Sequence, residues 1–130
     1  MDYLDNPEFD INELLEETGQ RQQQRLEKEL ERIEQQLEER DEIHREIVDE
    51  LESKLSWYTD RLESLYKQRT GKTGERQELK NQISSFYRQL REEKQQHWHD
   101  KQKLEQERRE LLRKLEEASD TELFDEFLSL

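Results

Sequence analysis

The chain has 130 residues, 28% of them hydrophobic and 44% charged, with a formal net charge of −13. An ordinary soluble domain carries about 45–50% apolar and about 25% charged residues, so a conventional globular core is excluded and the apolar groups must lie in narrow seams. The absence of cysteine removes disulfides, cysteine-based zinc sites and a thiol nucleophile, and no run of about 18 apolar residues offers a membrane span.

Residues 1–19 form a first, acidic segment. It holds Asp2, Asp5, Glu8, Asp10, Glu13, Glu16 and Glu17 without a single Lys or Arg, which is unlike the basic start of a signal peptide. Asn6 suits a helix cap with Pro7 at the first helical position. Phe9, Ile11, Leu14 and Leu15 then give a short amphipathic helix, which Gly19 is expected to stop.

Residues 20 to 70 contain no glycine or proline and are rich in Glu, Gln, Arg, Lys and Leu. Leu26, Leu30, Ile33 and Leu37 follow a 4-3-4 spacing, and Val48, Leu51, Leu55, Tyr58, Leu62 and Leu65 resume it. That is a helical stripe, and the ordered leucines argue against disorder, the competing reading of so polar a chain. Leu26, Leu37 and Val48 lie eleven apart, which predicts a straighter pairing than a strict heptad repeat.

Thr70-Gly71-Lys72-Thr73-Gly74 is a turn, and residues 75 to 118 form a second breaker-free segment. Its stripe runs through Leu79, Ile83, Phe86 and Leu90, fades at Glu93 and Lys94, and returns with Leu104, Leu111, Leu115 and Ala118. Folding at the turn predicts one antiparallel coiled-coil hairpin over 20–118, with the turn at 70–74. Partners should be residues whose numbers sum to about 145. That register sets Leu62 on Ile83, Leu55 on Leu90, Tyr58 beside Phe86 and Tyr87, Ile47 on Trp98, Ile33 on Leu112 and Leu30 on Leu115.

Residues 119–130 form the last segment. Ser119 and Glu122 suit a capping box, and Leu123, Phe124, Phe127 and Leu128 share one side of a short helix. This end carries six acidic residues and no base, so with the seven at the start it accounts for the whole net charge. The fold class expected is all-α: a helical hairpin with short amphipathic helices at both termini, assembling into a four-helix-bundle dimer. Ile43, Ile47, Trp57 and Trp98 are the candidate oligomer seam, because they lie beside the main stripe.

Among chemical constellations, His44 falls opposite Lys101 in this register, one turn from His97 and near Glu93. A zinc site is disfavoured, because a spacing of two puts His97 and His99 on different faces and Lys101 repels a cation. A polar layer that fixes register fits better, and its protonation in mild acid is expected to loosen the bundle. Gly71-Lys72-Thr73 lacks the upstream glycine and strand of a phosphate loop. No cleft desolvates a carboxylate pair, so no catalytic, cofactor or metal residue is assigned and the chain reads as a non-enzyme.

Two functional classes follow. The first is a cytoplasmic or nuclear adaptor that self-associates and binds protein partners through its acidic aromatic ends: Phe9, Ile11, Leu14 and Leu15 at one terminus, Leu123, Phe124, Phe127 and Leu128 at the other. The alternative is that those ends fold on each other and close the bundle. The second is an accessory of a nucleic-acid or secretion machine that inserts the hairpin tip, where Lys67, Arg69, Lys72 and Arg76 outnumber Glu75. Binding along nucleic acid is not expected, because the hairpin is neutral overall and the ends repel phosphate.

Overall fold

A computed structural model describes the backbone over residues 11–68 and 73–128, and the side chains over 11–68 and 74–119. Every described residue is helical. Helix α1 runs Ile11–Gln68 and helix α2 Thr73–Leu128, and the two pack against each other. Phe9, Arg69, Lys72 and most of the turn lie outside the described residues. So do the side chains of Leu123, Phe124, Phe127 and Leu128, although α2 carries their backbone.

The helix ends have favourable charge. Glu13 lies in the first turn of α1 and Lys67 in its last, and Glu75 lies in the first turn of α2. Each complements the partial charge of unpaired backbone groups at that terminus.

Two expected breaks are absent. α1 passes through Gly19, and α2 passes through Ser119, Asp120 and Thr121. An interior glycine costs about 1 kcal/mol relative to alanine, which weakens a helix but does not end it. Here Glu16, Glu17, Gln20 and Arg21 are strong helix formers on either side, and Thr18 bonds its hydroxyl back to the Leu14 carbonyl at 2.8 Å. Ser, Asp and Thr cost only several tenths of a kcal/mol each, so three together do not stop α2.

The contacts divide the chain into two units. One is Met1–Gln35 with Leu104–Leu130, and the other is Gln36–Lys103. In the second unit Leu51, Leu55, Phe86 and Leu90 form the buried cluster, with Ile47, Val48, Tyr58 and Ile83 packed against it. Tyr58 meets Phe86 edge-on at 5.2 Å, as the spacing predicts. Leu65 and Leu79 are buried nearer the turn.

In the first unit Ile33 and Leu111 are the buried residues, and Glu34 pairs with Arg108 at 3.3 Å. Leu111 retains 6% of its surface whereas Leu112 retains 39%. Leu112, set against Ile33 in the expected register, is thus exposed, and Leu111, which lies on the expected stripe, is the buried one.

The register also shifts by one turn in the second unit. His44 stacks on His97 instead of facing Lys101. The reason lies in the 3-4 spacing, which lets a one-turn slip carry each apolar residue onto the next in its stripe. Apolar matching alone barely distinguishes the two alignments, and polar partners decide between them.

Candidate interaction surfaces

Where the apolar stripe fades, α1 and α2 meet through charge. Arg40 Nη2 lies 2.9 Å from Glu93 Oε1, and its Nε donates to Asp100 Oδ2 at 2.9 Å. His44 Nδ1 sits 3.1 Å from the same Glu93 oxygen. One turn away, His97 Nε2 lies 2.7 Å from Asp41 Oδ1, and Lys101 reaches the other Asp41 oxygen at 3.5 Å. The two imidazoles stack between these arms, centroids 3.8 Å apart and 11° from parallel.

This layer perturbs its carboxylates. The hydrogen bond from His97, with Lys101 adding to it, holds Asp41 below the usual carboxylate range. Burial pushes Glu93 the other way, but hydrogen bonds from His44 and Arg40 outweigh it and leave Glu93 lowered. Arg40 loses some proton affinity to burial and regains more from Asp100 and Glu93, so it stays a cation. Electrostatically the layer is a clamp between helices. Among the described residues no three His, Asp or Glu converge on a point that would hold a metal ion.

Sequence reasoning singled out His44, His97, Glu93 and Lys101 but missed Arg40, Asp41 and Asp100. The available signal was the gap in the α1 stripe between Leu37 and Val48, which falls against the gap at 93–94 on α2.

The four residues expected to make one oligomer seam divide between two flanks of the helix pair. A shallow groove on one flank is lined by Ile47, Glu50 and Lys54 of α1 and by Gln89, Glu92 and Gln96 of α2. Ile43 and Trp57 lie seven residues either side of Glu50, so they follow the same line along α1. Trp98 is two residues past Gln96, roughly 200° around the helix, which puts it on the opposite flank. Trp57 and Trp98 are 60% and 59% exposed, and Ile43 is exposed while Ile47 is half-buried against the core. Trp57 packs edge-on against Tyr58, which anchors one side of its ring.

At the α1 start, Ile11, Leu14 and Leu15 are all exposed at i, i+3 and i+4, a ridge on one side of the helix with Glu13, Glu16 and Glu17 on the other. Next to the turn, two of the four tip cations are described. Lys67 pairs with Glu63 at 3.1 Å, and Arg76 lies over the Tyr66 ring at 4.7 Å with Lys80 at 5.5 Å from the same ring. Arg76 is thus engaged within its own fold. No helix among the described residues is long and apolar enough to cross a membrane.

The chain belongs to a family described as Family of unknown function (DUF8104), whose model matches residues 1–128. No curated protein and no solved structure matches it.

Proposed function

We propose that this chain is a non-enzymatic coiled-coil adaptor or scaffold, working in the cytoplasm, that self-associates and binds protein partners through its acidic amphipathic ends. The observation that carries this reading is the Ile11, Leu14 and Leu15 ridge. Three aliphatic side chains stand in solvent on one side of a helix whose other side carries carboxylates. Burying each would contribute about 1.5–3 kcal/mol, so a groove with a basic rim gains from covering them. The terminal Leu123, Phe124, Phe127 and Leu128 repeat the same acidic amphipathic pattern in sequence.

Self-association is supported by the exposed Ile43, Trp57 and Trp98 on a helix pair whose own core is thin. The tip-insertion reading has less in its favour. Of its described cations, Lys67 is paired with Glu63 and Arg76 is spent on Tyr66.

Two variants separate the readings. Leu14→Asp with Leu15→Asp should abolish capture of protein partners from the native lysate while helicity by circular dichroism stays unchanged. Neutralising Lys67, Arg69, Lys72 and Arg76 together should leave capture intact. The opposite pattern would establish tip insertion and overturn the adaptor reading.

A further inference from the structure

A basic and aromatic line runs along α2 on the flank away from the groove. Tyr87, Arg91, Lys94 and Trp98 follow a 4-3-4 spacing, so they stand one above another on one side of the helix. Arg88 lies beside them. Tyr87 is 55% exposed and Trp98 59%, and the three cations are exposed as well. Trp98 packs edge-on with His99, which steadies its ring. Among the described residues Arg88, Arg91 and Lys94 enter no ion pair.

Charge on this part of α2 is sorted by face. Between residues 76 and 102 every Lys and Arg lies within roughly 90° of the line, counted around the helix. Glu78, Glu92, Glu93 and Asp100, the acids of the same stretch, lie roughly 130° or more away from it. On the facing edge of α1, Asp41 is taken up by His97 and Lys101, and the exposed Arg45 offsets the exposed Glu52. The hairpin is neutral on average, but this flank is not.

We propose that this flank of α2 binds single-stranded nucleic acid, with Arg88, Arg91 and Lys94 on phosphates and Tyr87 and Trp98 stacked on unpaired bases. The cations call for an anionic occupant, and the rings select among anionic occupants. No Leu, Ile, Val or Met stands on the line, and a partner helix docks through such anchors in a groove. An anionic membrane surface takes a broad apolar face, which two rings separated by roughly 16 Å do not make. A duplex stacks its bases on one another, so it offers phosphates to the cations and nothing to the rings. An unpaired strand offers both. The net charge of −13 does not forbid this. Residues 36–103, one contact unit, hold 15 acidic and 14 basic residues, so the excess lies in the other unit. Charges beyond about 8 Å are screened at physiological salt, and the local surface decides. Ile43 and Trp57 lie on the other flank, so strand binding is independent of the adaptor reading and leaves it untouched.

The test uses the full chain, fluorescence anisotropy and a labelled single-stranded DNA of about 16 nucleotides, the upper end of single-strand site sizes. The strand should bind, and the logarithm of its affinity should fall with that of salt at a slope near −2, about 0.7 for each of three phosphates. Arg91→Ala with Lys94→Ala should flatten the slope to about −0.7. Tyr87→Ala and Trp98→Ala should each weaken binding at least fivefold with the slope unchanged, and Tyr87→Phe and Trp98→Phe should retain most of it. Trp57→Phe leaves Trp98 as the sole tryptophan, and its emission should be quenched as the strand binds. The absence of binding by the wild type at near-physiological salt would overturn the proposal. So would equal binding of the same sequence as a duplex, or of oligoglutamate, which would assign the flank to phosphates alone or to an acidic protein. Alanine variants of both rings that bind as tightly as the wild type would also sink it.

Discussion

Three features meet at the Arg40 guanidinium: it is mostly covered, it holds Glu93 and Asp100 at 2.9 Å each, and it sits where leucines are missing. Its Glu93 partner retains only 12% of its side-chain surface, so removing either group strands a largely covered charge. Glu93→Ala should cost about 1–3 kcal/mol in thermal or urea unfolding, and the Arg40→Ala, Glu93→Ala double variant should cost less than the sum. The exposed Lys54 and Glu50 pair, by contrast, should be worth about 0.3–0.5 kcal/mol. The layer also sets an acid limit. Asp41 and Glu93 have lowered folded-state pKa values, so on acidification the unfolded chain takes up protons first. Their contribution is complete above the unfolded carboxylate range of about 4 and is lost as pH falls through the lower folded values. Melting temperatures measured between pH 5 and 3 should therefore fall more steeply for the wild type than for Glu93→Gln, which has already lost that term. Parallel curves would show that the clamp carries no acid dependence.

Each helix offers a sharper version of the same question. Gly19 lies inside α1, its missing Cβ would meet nothing within 4 Å, and its neighbours are good helix formers. Gly19→Ala should stabilise the chain by about 0.5–1 kcal/mol, whereas a true helix stop would lose stability on the same change. On α2, Leu111→Ala should cost about 2–4 kcal/mol and Leu112→Ala well under 1, as the stripe through Leu111 expects and the pairing of Leu112 with Ile33 does not. These positions show how far the sequence could be read. The two helices and the place of their turn follow from where Pro7, Gly71 and Gly74 stand and from a leucine stripe too regular for a disordered chain. The Tyr58 and Phe86 contact follows from the same stripe. The alignment did not follow, because leucines spaced 3-4 are nearly as well matched after a slip of one turn, and the groups that choose between alignments are charged residues common everywhere in the sequence. The helix ends were misjudged for a related reason: Gly19 and Ser119 disfavour helix weakly, and long flanking runs overrode them.

For the molecule as a whole, the distribution of charge divides the chain as its contacts do. Both acidic ends belong to the unit Met1–Gln35 with Leu104–Leu130, and the second unit holds the buried cluster and the polar layer. The thirteen acidic residues of the two ends therefore fall within one unit, which holds 20 acidic against 8 basic residues in all, and like charges oppose its packing. The only buried apolar residues described there are Ile33 and Leu111, a small opposing gain. Added salt screens repulsion between exposed charges and scarcely reaches the covered pairs of the other unit. Amide exchange followed along the chain should then respond in two ways. Residues 11–30 should exchange fast at low salt and become several-fold better protected as ionic strength rises from about 0.02 to 0.3 M. Residues 47–58 and 83–90 should be the slowest throughout and change little, because hydrophobic burial protects them. A uniform response along both helices would mean that the chain opens as one cooperative body, and that the acidic ends are held by contacts strong enough to hide their repulsion.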